Sequence, residues 1–457
     1  MTTTPFFALP DTPRTALRNV RAPASLLPRA LAVATAGTPH GEDLAAVDIV
    51  LQGGRIEAVE AALTVPAHLG PDLGRSLVLP GLVDCHTHLD KGHIWPRKSN
   101  PTGDGHGAAI ATGEDRTRHW HAQDVRRRME FALMTAHAKG VVAIRTHLDS
   151  LAPQASISFP VFMRMRDEWA GRITLQASSI APLDIFLTDE ARQLADIVAT
   201  AGGQLGCVTR FRSLPNTPLM PEFDAAMLRL LALATERGLD IDLHVDEATD
   251  PEARTLIRVA QLALQVGFKG RILCGHCCSL ALQTDEFIEA TLAACVDAGL
   301  AVVSLPVVNM YLQDRTPGGG RTPRWRGVTL LHEMRARGIP VAVAGDNCRD
   351  PFYAYGDHDM LDTYAQAVKI LQLDHPHDGW IGAATQWPAG IMGLAPGTGR
   401  IDPGGTADLV VLRARSWSEM LSRFQADRVV LRAGRAIDTT LPDYRLLDDL
   451  MDGLGQV

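Results

Sequence analysis

Eight short apolar runs, each followed by a segment of helical periodicity, constrain this chain more than any other feature of its sequence. Between the first and second of these runs, Val125, Met129 and Leu133 recur at i, i+4 and i+8, the spacing of one helix face. Strands buried on both faces read as continuous apolar runs, and eight strand–helix repeats over roughly 270 residues suit a (β/α)8 barrel in count and length. We predict the strands at 82–85, 141–145, 173–177, 204–208, 241–245, 271–275, 301–305 and 340–344.

A doubly wound open sheet is the alternative for alternating strands and helices. Such a sheet commonly carries a glycine-rich phosphate loop directly after its first strand. No G-x-G-x-x-G pattern follows residues 82–85, so the barrel is favoured.

The two ends of the chain have a different texture, that of short strands and tight turns. Alternating runs on either side of Gly53-Gly54 predict a β-hairpin. A similar pattern returns near the C-terminus, so the candidate strands are 47–51, 56–59, 409–412 and 428–431. The simplest assembly joins both ends in one small β-sandwich, and two unrelated β-appendages are the alternative. We therefore predict three parts: 1–78 and 399–457 forming the small domain, and 79–398 forming the barrel.

Polar residues stand at the C-terminal ends of several predicted strands, where a (β/α)8 barrel builds its active site. His86 and His88 are separated by one residue, so both rings point to the same face of an extended strand. His244 ends the fifth strand, His276 the sixth, and Asp346 follows the eighth. Each alone is as well explained as a structural polar residue, but four separate strands place histidine or aspartate at the same end.

Three imidazoles and one carboxylate form a suitable ligand set for one divalent metal ion, either zinc or ferrous iron. Such an ion lowers the pKa of a bound water molecule. We assign the ligands as His86, His88, His244 and Asp346.

Proton transfer requires further groups near that ion. Glu247 lies three residues after His244 and is predicted to protonate a substrate ring nitrogen, while Asp346 takes a proton from water. His276 is predicted to orient the water or to stabilise the tetrahedral intermediate. The alternative for Glu247 is an exposed carboxylate at the start of a helix.

Charge and cysteine content exclude several classes of function. The formal net charge of −8 offers no basic surface for nucleic acid or an anionic membrane. We find no apolar run of membrane-spanning length and no signal-peptide core at the start of the sequence, and so expect a cytoplasmic protein. The cysteines lack a secreted disulfide pattern and are predicted to be free thiols: Cys85, Cys207, Cys274, Cys277, Cys278, Cys295 and Cys348.

Five sequence blocks surround these polar residues: LPGLVDCHTHLDK, AIRTHLDS, IDLHVDE, CGHCCSL and AGDNCRDPFYAYGDHDM. Together with LPVVNMYLQ at 305–313, they resemble the amidohydrolase superfamily in its cytosine deaminase-like subgroup, which is related to N-isopropylammelide amidohydrolase and pterin deaminases. The resemblance implies a (β/α)8 barrel with a small β-sandwich, one metal ion, a small heterocyclic substrate with water, and a homo-oligomer. It matches the family's metal ligands, proton shuttle and water-orienting histidine to His86, His88, His244, Asp346, Glu247 and His276.

Substrate recognition departs from the best-known relative. Cytosine deaminase contacts its pyrimidine with a glutamine shortly after the third strand, where this chain has Leu183. A leucine cannot form that amide contact, so strict cytosine specificity is not expected. Asn347 stands in place of a second aspartate and offers a donor and an acceptor to a ring edge. Phe352 stands in place of a tryptophan and either stacks on a planar ring or packs in the core.

The loop after the first strand supplies further candidates. Lys91 and Trp95 lie at the predicted mouth of the barrel and are expected to contact substrate, with simple packing as the alternative for Trp95. For His93 in the same loop, substrate contact and a solvated position are equally consistent with the sequence. His147, after the second strand, is a candidate for a position just behind the metal ligands.

The predicted function is hydrolytic deamination of a nitrogen heterocycle, with loss of an exocyclic amino group as ammonia from a pyrimidine or a larger pterin-like ring. One alternative keeps the metal site but releases an alkylamine from an N-substituted triazine or related ring. A second is a catalytically inactive barrel that serves as a binding protein, which the complete set of polar residues disfavours.

Overall fold

The computed structural model describes residues 6–33, 42–212, 222–316 and 318–451. The chain divides into two compact units, one of Met1–Asp84, Met134–Ala143 and Asp359–Leu441 and the other of Cys85–Leu133, Ile144–His358 and Pro442–Val457. Within the described ranges, no helix is both long and apolar enough to cross a membrane. The three-part division predicted above stays a prediction, and its outermost residues, 1–5 and 452–457, lie outside the described ranges.

The strands of the described residues are numbered in chain order. They are β1 Arg14–Pro23, β2 Leu44–Gln52, β3 Arg55–Ala61, β4 Leu77–Pro80, β5 Leu82–Thr87, β6 Val141–Asp149, β7 Thr174–Ile180, β8 Leu205–Val208, β9 Ile241–Val245, β10 Ile272–His276, β11 Ala301–Ser304, β12 Val341–Val343, β13 Leu409–Leu412, β14 Val429–Arg432 and β15 Arg435–Ala436.

The α-helices of the described residues follow the same convention. They are α1 Arg29–Val33, α2 Gly105–His119, α3 Ala122–Ala138, α4 Ala155–Glu168, α5 Glu190–Ala201, α6 Phe223–Arg237, α7 Thr255–Val266, α8 Asp285–Asp297, α9 Pro306–Leu312, α10 Leu331–Ala336, α11 Met360–Leu371, α12 Gln386–Ile391 and α13 Trp417–Ser422.

Eight strands, β5 to β12, form a closed (β/α)8 barrel, as the sequence predicts. Strands β5 to β7 make one sheet, and β8 to β12 make a second sheet whose neighbours run parallel. Parallel bridges join Ser178 to Gln204 and Pro182 to Val208, which connects β7 to β8. A further parallel bridge between Thr87 and Asp346 connects β5 to the segment after β12 and closes the ring.

The apolar runs of the sequence form these strands because both of their faces are covered. Every residue of β5, β6, β9 and β10 is buried. The intervening helices are stopped by local signals: α6 ends at Arg237, and Gly238 then adopts a left-handed conformation with φ +63°, which favours glycine. The chain turns there and enters β9 three residues later, which fixes the start of the strand that carries His244.

Strands from both chain ends form one seven-stranded sheet in the order β15-β14-β13-β4-β1-β2-β3. The predicted hairpin pairs β2 with β3 in antiparallel register. A single apolar cluster contains Ile56 from one edge of the sheet and Leu431 from near the other, and the amide of Ile56 donates to the carbonyl of Gly405 at 2.9 Å. The sheet therefore curls over one core, in the manner of the predicted sandwich.

Candidate active site and metal centre

Backbone pairing at the closure of the barrel positions three of the predicted site residues. The amide of Asp346 donates to the carbonyl of His86 at 2.8 Å, and the hydroxyl of Thr87 donates to the carbonyl of Asp346 at 2.7 Å. His86 and His88 flank Thr87 in the chain, so both rings lie on the face opposite the Thr87 side chain. The bridge that closes the barrel thus brings the Asp346 carboxylate to the two histidines.

Four donor atoms face one another at this end of the barrel. Nε2 of His88 lies 3.2 Å from Oδ1 of Asp346 and 3.4 Å from Nε2 of His244. Nε2 of His86 lies 3.6 Å from the same Oδ1. Ligands about 2.1 Å from a tetrahedral zinc ion are about 3.4 Å apart. These three spacings match that value, and the residue set is called here the four-donor centre. The ligand atoms of His86, His88 and Asp346 all lie within 4.8 Å of one another, and His244 forms an overlapping group of the same kind with His86 and His147.

Burial keeps the imidazoles of the four-donor centre uncharged. His86, His88 and His244 are at most 4% exposed. Burial is the main reason that the pKa of each ring lies well below its ordinary value, and the charge of Lys91 adds to the effect. A neutral imidazole offers a lone pair, so the form that binds a metal is the form present at neutral pH.

His276, Glu247 and Asn309 form a second group next to Asp346. Nδ2 of Asn309 donates to Nδ1 of His276 at 2.9 Å and reaches Oε1 of Glu247 at 3.4 Å. Because Nδ1 accepts in this arrangement, the ring proton of His276 is on Nε2. Burial lowers the pKa of His276, and the Glu247 charge opposes that shift. Ligand atoms of Glu247, His276 and Asp346 all lie within 4.8 Å of one another.

His147 is also brought to the centre. Its ring lies 4.0 Å from that of His86 and 4.7 Å from that of His244, measured between centroids. Neither of its ring nitrogens has a hydrogen-bond partner among the described residues. Nε2 of His147 lies 3.7 Å from Oδ1 of Asp242, whose other oxygen pairs with Arg145 at 3.0 Å. His147 therefore packs against two of the assigned ligands, and the ligand atoms of His86, His147 and His244 all lie within 4.8 Å of one another.

The backbone is unusual at two of these positions. His276 and Asp346 adopt positive φ values of +70° and +61°, which cost free energy in residues that carry a Cβ. Gly275, beside them in β10, makes room for a ring, because a Cβ there would lie 2.9 Å from Cε1 of His86. Such positions cluster where a site is built at the expense of local stability.

A cavity of about 650 Å³ reaches Glu247 and has both charged and aromatic walls. Nζ of Lys91 lies 3.2 Å from Oδ1 of Asp149 and 4.9 Å from the centre of the Phe352 ring. Burial alone would lower the pKa of Lys91, but the carboxylate of Asp149 and its neighbours raise it. The cavity thus has a volume typical of small-molecule sites, about 300 to 1,000 Å³, and presents a fixed cation beside a flat ring.

The predicted substrate contacts divide into two sets. Lys91 and Phe352 line the cavity, as does Glu247. Leu183 is fully buried, and the neighbouring Pro182 takes its place in the cavity wall. Trp95 and Asn347 are also absent from the wall: the amide of Trp95 donates to the carbonyl of Arg349 at 2.8 Å, and Nδ2 of Asn347 donates to Asp350 at 2.7 Å.

Sequence reasoning gave no role to Asn309, although it lies in the stretch 305–313 noted for its resemblance. It is fully buried in α9, which follows β11 directly. Its position soon after a barrel strand could have marked Asn309 as a candidate site residue. The direction of its side chain, however, depends on how α9 packs.

Comparisons with known proteins identify the family. The sequence profile of the Amidohydrolase family matches residues 185–437. The chain is 49% identical over 449 residues to pterin deaminase of Rhizobium rhizogenes, an alignment that covers 98% of this chain and 99% of that protein. It is 26% identical over 409 residues to N-isopropylammelide isopropyl amidohydrolase of Pseudomonas sp., with coverage of 85% and 93%. The chain therefore belongs to the amidohydrolase family, as its sequence blocks predict.

A solved structure agrees in fold. The crystal structure of 5-methylcytosine deaminase from Klebsiella pneumoniae matches with a TM-score of 0.76 at 21% identity, over 92% of this chain and 97% of that one. The predicted enzyme class is confirmed as well: the protein is a hydrolase of carbon–nitrogen bonds, other than peptide bonds, in cyclic amidines. Metal dependence is general in this family, and the described residues include histidine-rich candidate metal sites, one of His86, His147 and His244 and one of His86, His88 and Asp346.

Proposed function

We propose that this protein is a hydrolytic deaminase that uses one zinc or iron ion to remove an exocyclic amino group, as ammonia, from a pterin-like heterocycle. The observation that carries the proposal is the spacing of 3.2 to 3.6 Å among buried donor atoms, with an acid and a histidine beside them. The residues assigned to the ion are His86, His88, His244 and Asp346.

The ion supplies one element of the chemistry. When bound by these four side chains, it would lower the pKa of a water molecule, so that water becomes a nucleophile near neutral pH. The neutral state of the buried imidazoles supports this assignment, since no proton has to leave them first.

The side chains of the protein carry the protons. Glu247 acts from its protonated form and donates that proton to the ring nitrogen beside the carbon under attack, so that negative charge does not build up on the ring. Asp346 accepts a proton from the attacking water and passes it to the amino group, which leaves as ammonia when the carbon–nitrogen bond breaks. The new hydroxyl returns a proton to Glu247 and becomes the ring carbonyl, which restores the enzyme.

His276 stabilises the tetrahedral intermediate. With its proton on Nε2, it donates a hydrogen bond to the oxygen derived from water. Asn309 holds this tautomer by donating to Nδ1 at 2.9 Å. Because the interaction strengthens as charge develops on that oxygen, it favours the transition state over the bound substrate.

A bicyclic ring is the favoured substrate. The relative that is 49% identical along nearly the whole chain is a pterin deaminase, whereas Leu183 does not supply the amide contact by which a pyrimidine is bound. Phe352 offers a flat face for stacking, and Lys91 offers a fixed donor for a ring carbonyl. A substrate contact by Asn347 would require its side chain to leave Asp350, and Trp95 does not line the cavity.

A turnover screen tests the proposal directly. Zinc- or iron-loaded protein is incubated with pterin, cytosine and an N-alkylated aminotriazine, and both ammonia and alkylamine are measured, with metal-free protein as the control. We expect ammonia from pterin at a rate well above that from cytosine. Alkylamine release from the triazine without ammonia from any ring would contradict the deaminase assignment.

Alkylamine release is the second candidate, and one observation favours it. The relative that is 26% identical over 93% of its own length is an N-isopropylammelide isopropyl amidohydrolase. The same screen separates the two activities. A homo-oligomer is also proposed, from the family resemblance alone, and light scattering of the purified protein tests it.

A further inference from the structure

A second group of buried metal-binding side chains lies outside the four-donor centre. His93, in the loop after β5, meets Cys348 and His358, in the loop after β12, and their ligand atoms all lie within 4.8 Å of one another. These residues are 1%, 3% and 8% exposed. They are called here the His–Cys–His cluster.

Three of the four ring nitrogens of the cluster are buried without a hydrogen-bond partner among the described residues. Both ring nitrogens of His93 and Nε2 of His358 have no hydrogen-bond partner among the described residues. Burying a polar group in this state costs free energy, and native structures rarely leave one so without a reason. Burial also lowers the pKa of both rings, that of His358 to about 4, so both are neutral and carry free lone pairs.

Aromatic rings and two guanidinium groups surround these nitrogens, since the charges of Arg349 and Arg128 add to burial in lowering the pKa of His93. The ring of Phe131 lies edge-on to His93 at 4.8 Å, and Tyr444 stacks on Phe131 at 5.5 Å. The phenol of Tyr444 is itself engaged, because it donates to Asp357 at 3.0 Å. A ligand for the imidazoles therefore has to occupy the space between the three side chains.

The backbone holds the cluster in place at some cost. The amide of His93 donates to the carbonyl of Cys348 at 3.0 Å, and His93 and His358 have positive φ values of +67° and +48°. Gly92 keeps the space open, because a Cβ there would lie 3.3 Å from the Cys348 carbonyl. Backbone strain of this kind is frequent at functional sites.

We propose that His93, Cys348 and His358 bind a second metal ion, a zinc-class cation, at a site separate from the four-donor centre. Two imidazoles and one thiolate suit zinc and related soft or borderline metals. Ligands on one zinc ion lie about 3.3 to 3.8 Å apart. The ligand atoms of the cluster lie within 4.8 Å of one another, so metal binding requires the side chains together to move closer by about 1 Å. Binding releases the thiol proton of Cys348 to solvent, and the resulting thiolate is the sulfur ligand.

The site would join two loops that carry substrate-site residues. The loop of His93 includes Lys91, and the loop of Cys348 and His358 includes Phe352, both of which line the cavity. A cation bound by both loops would fix the distance between those two side chains. This proposal does not depend on which heterocycle the enzyme deaminates.

Cobalt reconstitution tests the proposal, because a thiolate bound to Co²⁺ gives a near-ultraviolet charge-transfer band that histidine and aspartate ligands do not give. Metal-free full-length protein is titrated with Co²⁺, dialysed and analysed for metal content. We expect two equivalents per chain and the thiolate band. Cys348→Ser and His93→Asn should each retain one equivalent, and Cys348→Ser should lack the band. Cys295→Ser, a matched change at a fully buried cysteine of α8, should keep both signals.

Two results would overturn the proposal. One is a single equivalent without a thiolate band in the unmodified protein, and the other is a band that persists in Cys348→Ser. If either cluster variant fails to fold, X-ray absorption of the zinc-loaded unmodified protein decides, since a sulfur neighbour at about 2.3 Å supports the site and its absence overturns it.

Discussion

The seven-stranded sheet and the end of the barrel both bury polar side chains, but they treat them differently. The compact unit that contains the seven-stranded sheet is called here the sheet unit. In it, Asp48 is fully buried, and its two oxygens accept hydrogen bonds from the amides of Asn19 at 2.7 Å and Val65 at 2.9 Å. Asp359 forms two hydrogen bonds with Arg428, at 2.8 and 2.6 Å. At the barrel end, both nitrogens of His147 and the Nδ1 of His244 have no such partner among the described residues.

The difference separates two uses of a buried polar group. A carboxylate that the fold itself satisfies stabilises a particular chain path, and its removal leaves its partners unsatisfied. An imidazole that the fold leaves unsatisfied lowers stability until something else binds it. The comparison predicts that substitutions in the sheet unit change stability, whereas substitutions at the barrel end change metal content and turnover.

The largest effect is expected from His244→Ala, which removes one of the four donors. A metal ion contributes several kcal/mol of transition-state stabilisation, so kcat should fall on the order of 10³-fold or more. Metal analysis should show loss of an ion, while circular dichroism stays unchanged. His68→Ala, at an exposed histidine, is the control. Full activity in His244→Ala would contradict the assignment of His244 as a metal ligand.

Glu247→Gln should separate proton transfer from metal binding. The amide keeps the shape of the side chain but cannot donate the proton, so kcat should fall about 10² to 10⁴-fold with unchanged metal content. Glu252→Gln, at an exposed glutamate five residues away, should retain full activity. Turnover within tenfold of the unmodified enzyme would remove Glu247 from the mechanism.

Asp359→Asn should act on stability alone. The change leaves the buried Arg428 without its carboxylate, at a cost of about 3 kcal/mol in the free energy of unfolding at pH 7. Burial acts to raise the pKa of Asp359, but the charges of Arg428 and Lys139 outweigh burial, so the pKa lies below its ordinary value. Its stabilisation is therefore present above the unfolded pKa of about 3.9 and is lost as the pH falls through the lower folded pKa.

Urea unfolding at pH 7 and under acid conditions measures this difference. The cost of Asp359→Asn should shrink in acid, because the unmodified protein then loses the same ion pair. Asp427→Asn breaks the more exposed pair with Arg413 and should cost at most about 1 kcal/mol. A fall in kcat per folded molecule of Asp359→Asn would contradict the prediction that this substitution changes stability alone.

The smallest effect is expected from Asn309→Ala, which removes the donor that holds His276. We expect kcat to fall about tenfold with KM unchanged, since positioning partners of this kind contribute about 10 to 100-fold. A double-mutant cycle with His276→Asn distinguishes positioning from a general loss of structure. The two losses should not add; simple additivity would show that Asn309 acts independently of His276.

Most of the fold could be predicted from the sequence because buried parallel strands are read directly as apolar runs. All eight predicted strands overlap the observed ones, and β9 has the predicted bounds of 241 and 245. The convergence of His86, His88, His244 and Asp346 followed from one rule, that strand ends of a barrel meet. Their roles as ligands stay a prediction.

The rest depends on packing that local sequence does not encode. Leu183 begins a short 3-10 helix, Leu183–Leu187, which turns its side chain into the interior. Asn309 is aimed by a helix rather than by a strand end. His93 was equally consistent with solvent or substrate contact, yet it is buried against Cys348 and His358, residues more than 250 positions away that only the closed barrel brings near.

The bridge between Thr87 and Asp346 joins residues 259 positions apart, the two sides of the seam where the ring of strands closes. Contacts over such long stretches of chain are costly in entropy and slow to form. Because this contact also delivers the Asp346 carboxylate to the histidines of β5, the centre exists only once the barrel is complete. A cation held by all four donors would span the seam and bind the closed ring more tightly than an open one, and would so stabilise the finished barrel over its partly assembled precursors.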